Sequence, residues 1–284
     1  MTHSILDKLE NIYKDVEQIL HSTHYSPHTV RAYLGQLNNF LETISPKLPS
    51  ELGVKEIKTY IAYLNKSGRS RSTIDQAINA LYFLYTEVIH RPVLIRDINR
   101  PAIRKAPPVI LSGNEISRIA SATRDIKHKL MILLTYTAGL RTSEVVNLLV
   151  GDLNLDNLTI NVRGTGKKRN RTTVFAEILK SPIQFLIKGR EPSCYVFTGS
   201  EGNPLTTRAV TKFFKVALEA SGINKKATPR TLRHSFTAYL LESGADLKIA
   251  QRLLGHTRSD VTSYYDGLWN FSDLNPEIEL DSNN

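Results

Sequence analysis

Between Arg100 and Val109 the chain reads Arg-Pro-Ala-Ile-Arg-Lys-Ala-Pro-Pro-Val. Proline fixes φ and lacks an N–H, so this run suits neither a helix interior nor a central strand. Its basic residues show no periodicity and give no apolar face to bury, which marks an extended linker. The 284 residues therefore divide into a first domain at 1–97, a linker at 98–109 and a second domain at 110–284. Both flanking segments are long enough to build a core of their own.

Residues 1–97 read as almost entirely helical. Ser26-Pro27 opens one helix, with proline in the first turn, where its missing N–H costs nothing. Val30, Tyr33, Leu34, Leu37, Phe40 and Leu41 then recur at helical spacing. Val54, Ile57, Tyr60, Ile61 and Leu64 make a second amphipathic run, and Ser72 opens a third through Ile74, Ile78, Leu81, Leu84 and Tyr85. The turn before it, Ser-Gly-Arg-Ser-Arg-Ser at 67–72, reads either as a solvated connection or as phosphate contacts at a helix start.

The second domain mixes periods. Ser112 or Asn114 caps a helix bearing Ile116, Ile119 and Ala120. Leu155, Leu158, Ile160 and Val162 alternate with polar residues, and Thr172 to Phe175 forms a second short strand. The turn between them holds Gly164-Thr165-Gly166 and the basic run Lys167 to Arg171. Helices are expected again over 205–220, 232–243, 245–254 and 259–265. The fold class is mainly α: an N-terminal helical domain, then a C-terminal α+β domain with a small antiparallel sheet.

Thirty-seven Lys and Arg against 27 Asp and Glu leave a formal charge of +10. Such a chain suits a polyanionic partner, because each neutralised phosphate releases counterions. Cys194 is the single cysteine, so no internal disulfide can form, and no Cys/His spacing matches a zinc site. The first residues carry neither a basic n-region nor an apolar h-region, and no apolar run approaches the ~20 residues of a membrane helix. The expectation is a soluble cytoplasmic protein with no membrane partner, no metal and no cofactor.

Three blocks carry chemistry. They are Thr137-Ala-Gly-Leu-Arg141-Thr-Ser-Glu144, then Thr228-Pro-Arg230-Thr-Leu-Arg233-His234, and Leu253-Leu-Gly-His256 followed by Tyr264-Tyr265. Arginine stays protonated and its planar fork matches phosphate oxygens. A phenol with an unperturbed pKa of ~10 becomes a usable nucleophile when cations favour its anion. A lysine near a leaving 5′ oxygen can supply the proton it needs.

These blocks resemble the tyrosine recombinase, or phage integrase, family, most closely its compact Xer-type members. The order of the blocks and the spacing from His256 to Tyr265 match the family pattern. The first domain is similar to the family's helical DNA-clamping domain, beginning near Tyr25-Ser-Pro-His-Thr-Val-Arg-Ala-Tyr33. The resemblance implies that Arg141 and Arg233 are the paired catalytic arginines, His256 a hydrogen-bond donor and Tyr265 the nucleophile of a 3′-phosphotyrosyl link. Glu144 is expected to steady Arg141 from one helical turn away. Implied partners are a double-stranded DNA core site and further copies of the chain, a dimer on one site and a tetramer in synapsis. An accessory protein stays open, and the apolar tail after Tyr265 is expected to serve subunit interaction.

The chain departs from the pattern twice. Arg230 stands where the family usually has histidine; it can donate to phosphate but cannot shuttle a proton near neutral pH. Thr165 stands where the hairpin lysine usually falls, and Lys167, with Lys168 as fallback, takes that role two residues on. The resulting expectation is a site-specific recombinase of the Xer kind, resolving chromosome or plasmid dimers. The alternatives are an integrase of a mobile element, a type IB-like topoisomerase and a catalytically silent architectural DNA-binding protein.

Overall fold

The structure, a computed structural model, describes residues 2–23, 25–96, 98, 100, 107–164, 170–199 and 202–255. The chain falls into two compact units, Met1–Lys105 and Ala106–Asn284. The proposed linker at 98–109 lies largely outside the described residues.

Among the described residues the regular structure of the first unit is all helical: α1 (Thr2–Ser22), α2 (Pro27–Ile44), α3 (Val54–Lys66), α4 (Arg71–Phe83) and the short α5 (Val93–Arg96). Ser26 caps α2 by accepting from Thr29 N at 3.1 Å, with Pro27 in the first turn. Ser70 repeats that geometry on Thr73 N, so α4 starts at Arg71 rather than at Ser72 as the periodicity suggested. The buried stripes Val30, Leu34, Leu37, Leu41 and Ile74, Ile78, Leu81 let α2 and α4 pack together. Each such side chain contributes about 1.5–3 kcal/mol on full burial. Past Phe83 the helix widens into one π turn, Leu84–Val88, which carries the wholly buried Tyr85; its hydroxyl donates to Pro49 O at 3.0 Å.

The second unit is built around α7 (Ile126–Thr137), whose residues Leu130 to Tyr136 are all buried. A helix apolar on every side needs neighbours on every side. Those are α6 (Gly113–Ser121), α8 (Thr142–Val146), α9 (Lys180–Ile187), α10 (Thr207–Ala220) and α11 (Pro229–Glu242). Ser112 is the cap of α6, accepting from Glu115 N, while the Glu115 carboxylate accepts from Ser112 N. The last described helix is α12 (Leu247–Leu254).

The sheet has three antiparallel strands rather than two: β1 (Leu153–Asn154), β2 (Thr159–Val162) and β3 (Arg171–Val174), in that order. Leu153 pairs with Ile160, and Val162 with Arg171. Leu155 and Leu158 belong to the β1–β2 turn; Leu158 takes φ 53°, which no strand residue adopts. Asn154 explains the early turn, because its side-chain oxygen accepts from Asp156 N and Asn157 N. The helices also begin or end slightly off their periodic runs: α10 starts at 207, α11 at 229 and α12 at 247. The shift in α11 matters, because it brings Arg230 and Arg233 into one helix, one turn apart.

Candidate active site

The site grows from the turn between α7 and α8. Gly139 there has φ +59°, and a Cβ on it would lie 2.6 Å from Cε1 of the buried Phe236 ring. Only glycine fits this close approach of the turn to α11. The turn delivers Arg141 to the start of α8, where Glu144 accepts from Arg141 N at 2.7 Å and from its Nη1 at 2.7 Å. Glu144 therefore caps the helix and steadies Arg141 at once.

From β3, Arg171 reaches the same carboxylate with both prongs of its fork, 2.8 Å to Oε1 and 2.7 Å to Oε2. Arg233 enters from α11, its Nη1 at 3.8 Å from Glu144 Oε2 and 2.6 Å from the Gly139 carbonyl it donates to. Three guanidinium groups thus surround one carboxylate. Burial alone would raise the Glu144 carboxyl, but hydrogen bonds from Arg171 and from Arg141 outweigh it and hold it at about 2. The side chains of Arg171 and Arg233 are 8 % exposed, against 29 % for Arg141. Arg141 is the member that faces solvent.

Arg171 Nε also donates to Leu253 O at 2.8 Å, and Arg233 Nη2 donates to Leu254 O. Both are terminal carbonyls of α12, groups that a helix end leaves unpaired and that cations satisfy well. Gly255 closes α12 in the left-handed conformation, φ +63°, directly before His256 in sequence. The arginine cluster consequently fixes the point from which the His256 segment departs.

Arg230 is exposed on the first turn of α11. His234 is half-buried on the same helix. Burial, then the charges of Arg230 and Arg233, push its imidazole down to about 4, so it is neutral near pH 7. A cleft of about 1570 Å³ opens in front of the cluster, lined among others by Arg141, Glu144, Arg163, Arg171, Lys248 and Arg252. Of the six residues expected at the site, Arg141, Arg230 and Arg233 are described, and Arg141 and Arg233 converge on Glu144. Lys167, with its fallback Lys168, His256 and Tyr265 lie outside the described residues, as do Tyr264 and the tail.

The model of the phage integrase family matches residues 110–268, and that of its N-terminal SAM-like domain matches residues 12–95. The chain belongs to the phage integrase family. Its enzyme class is that of the tyrosine site-specific recombinases. Tyrosine recombinase XerA of Pyrococcus horikoshii is 32% identical over 247 residues, covering 84% of this chain and 83% of its own. Tyrosine recombinase XerD of Listeria innocua is 29% identical over 260 residues, covering 84% and 88%. In fold the chain is similar to the Tn1549 transposon integrase in complex with transposon right end DNA. That match has a TM-score of 0.75 at 20% identity and covers 93% of this chain and 96% of that one. It is also similar to a lambda integrase dimer bound to a core site, at a TM-score of 0.75, 17% identity and coverage of 92% and 79%.

Within this recombinase the site member that sequence reasoning overlooked is Arg171. It was read as the end of the basic hairpin loop, whereas it is the first residue of β3 and almost fully buried. A signal was present: period-two alternation puts Arg171 on the same face as the buried Thr173.

Proposed function

We propose that this recombinase cuts and rejoins duplex DNA at a specific core site through a 3′-phosphotyrosyl bond to Tyr265. The observation that supports this reading is the convergence of Arg141 and Arg233 on one carboxylate at the floor of an open cleft. Arg141 presents its exposed edge to a phosphodiester, and Arg233 contributes from α11 behind it. Charged donors aimed at the nonbridging oxygens stabilise the charge that develops as phosphorus is attacked. The Tyr265 phenolate attacks phosphorus, the 5′ oxygen leaves with a proton from Lys167, and His256 donates to a phosphate oxygen. A 5′ hydroxyl of the partner duplex then displaces Tyr265. Arg230 adds a fixed positive charge where the family has histidine, and favours the phenolate electrostatically rather than by accepting its proton.

The biological role follows the Xer pattern of chromosome or plasmid dimer resolution. Similarity to XerA and XerD across more than four-fifths of their lengths supports it. The working assembly is a dimer on one core site and a tetramer across two, in the cytoplasm, with the apolar residues after Tyr265 bridging subunits.

Covalent trapping tests the reading. On a nicked suicide substrate carrying a candidate core site, in EDTA, the wild-type chain forms a denaturation-resistant adduct and Tyr265→Phe forms none while binding DNA equally. Equal trapping by Tyr265→Phe would sink the nucleophile assignment.

A further inference from the structure

The Glu144 carboxylate has two oxygens and three arginine suitors, and how it divides them decides what Arg141 can do. A carboxylate facing a single arginine takes the planar two-point pairing that the guanidinium fork favours. Arg171 occupies that pairing instead, with 2.8 and 2.7 Å contacts to the two oxygens. Arg141 is left with one side-chain contact, Nη1 to Oε1, and its Nε and Nη2 make no hydrogen bond among the described residues. Both side chains line the cleft, but Arg141 is the more exposed of the two, and each of the three nitrogens of Arg171 already donates to a protein group.

We infer that Arg171 is a positioning residue of the strand-cleavage reaction. By saturating Glu144 it keeps Arg141 from collapsing into a two-point pair and leaves donors on Arg141 for the DNA phosphate. The inference rests on the proposed reading of Arg141. Arg171 is placed to position rather than to bind: its side chain is 8 % exposed, and its third nitrogen, Nε, donates to Leu253 O. That third contact gives it a second task. It anchors the end of α12 to β3, the strand that leaves the basic hairpin, so one side chain ties together α8, β3 and α12. Close packing around it is visible at Gly255, where a Cβ would lie 2.7 Å from Arg171 Cδ.

Lysine at this position keeps the charge but loses the fork, since an ammonium is a point donor. Glu144 would then recapture Arg141 in part. Arg171→Lys is therefore expected to cut single-turnover formation of the covalent adduct at least tenfold, with DNA affinity within about twofold of wild type. Arg171→Met is expected to lose more. The decisive comparison is with Glu144→Gln, which removes the charge that Arg171 neutralises. In that background Arg171→Met is expected to cost at least threefold less than it does beside an intact Glu144, because no carboxylate remains to capture Arg141 and only the loss of the α12 anchor at Leu253 O is left. A residue that merely held the fold would impose the same factor in both backgrounds.

Equal factors, or wild-type cleavage by Arg171→Lys, would overturn the inference. If Arg171→Met fails to fold, Arg171→Lys carries the test alone, its folding checked by its thermal melt. An absence of adduct from the wild-type chain would count against the Tyr265 chemistry, whereas a normal wild type beside a normal Arg171→Lys would count only against the role of Arg171.

Discussion

Glu144→Gln tests how strongly the arginine cluster holds its one anion. The folded chain keeps this carboxyl at about 2, against its usual 4.5. At about 1.36 kcal/mol for each pKa unit, the difference corresponds to about 3 kcal/mol of stability at neutral pH. Because the folded value lies below the unfolded one, the contribution is complete above pH 4.5 and is lost as pH falls towards 2. By pH 3.5 about 2 kcal/mol of it should remain. The assay is urea unfolding of wild type and Glu144→Gln at pH 7 and pH 3.5, at fixed salt, followed by far-UV circular dichroism. Taking the difference between the two proteins cancels every other group that titrates in both. Glutamine keeps the shape but turns an N–H towards the guanidinium groups, which adds a cost that does not vary with pH. The pH-dependent part is the diagnostic one: the gap between the proteins should narrow by about 1 kcal/mol from pH 7 to 3.5. A gap that stays constant would show that the carboxylate is not held by its charge, and the electrostatic account of the cluster would fall.

Three further outcomes are expected. Gly139→Ala adds a methyl against Phe236 at a left-handed position; it should destabilise the catalytic unit by roughly 2–5 kcal/mol, read by urea unfolding, since strain and overpacking add. His234 is held at about 4 in the folded chain, so the unfolded chain takes up the proton first; about 2 kcal/mol of stability should vanish between pH 7 and pH 5, and His234→Gln should flatten that slope. Lys167→Ala should slow cleavage, and a 5′-bridging sulfur substrate, whose leaving group needs no proton, should restore it; rescue of Lys168→Ala instead would move the hairpin register by one.

The helices were legible wherever one face is apolar. Val30 to Leu41 and Ile74 to Leu81 carry their period openly, and Ser26-Pro27 names its own helix start. The start of α11 was harder to see because its first apolar residue, Leu232, lies three positions inside it; Pro229 in the first turn was the clue. β1, two residues long, has too few positions for alternation to register. At the site, Glu144 and Arg141 are three residues apart on one helix end, so their pairing could be anticipated from local geometry alone. Glu144 and Arg171 are 27 residues apart, and their pairing exists only because β3 packs against α12 and the Arg171 side chain reaches across to α8. Inside the run Lys167 to Arg171, a buried arginine looks in sequence like its solvated neighbours.

The charge count of the cluster bears on why so many arginines share one carboxylate. Arg141, Arg171 and Arg233 against Glu144, which stays ionised at neutral pH, leave the cluster with a net charge of +2, and the cleft before it is lined further by Arg163, Lys248, Arg252 and Asp152. In the proposed reaction a phosphodiester arrives with one negative charge. Attack by a phenolate raises this to two around the five-coordinate phosphorus. A site with net positive charge therefore stabilises the more highly charged transition state more than the bound substrate, which is the condition for accelerating the chemical step rather than tightening binding. The carboxylate is what makes such a site foldable, since three buried or half-buried guanidinium groups without a counter-charge would repel one another and bear the desolvation cost unrelieved. Removing Glu144 would add positive charge to the cleft and still be expected to slow cleavage, because the arginines would no longer be held where the phosphate needs them.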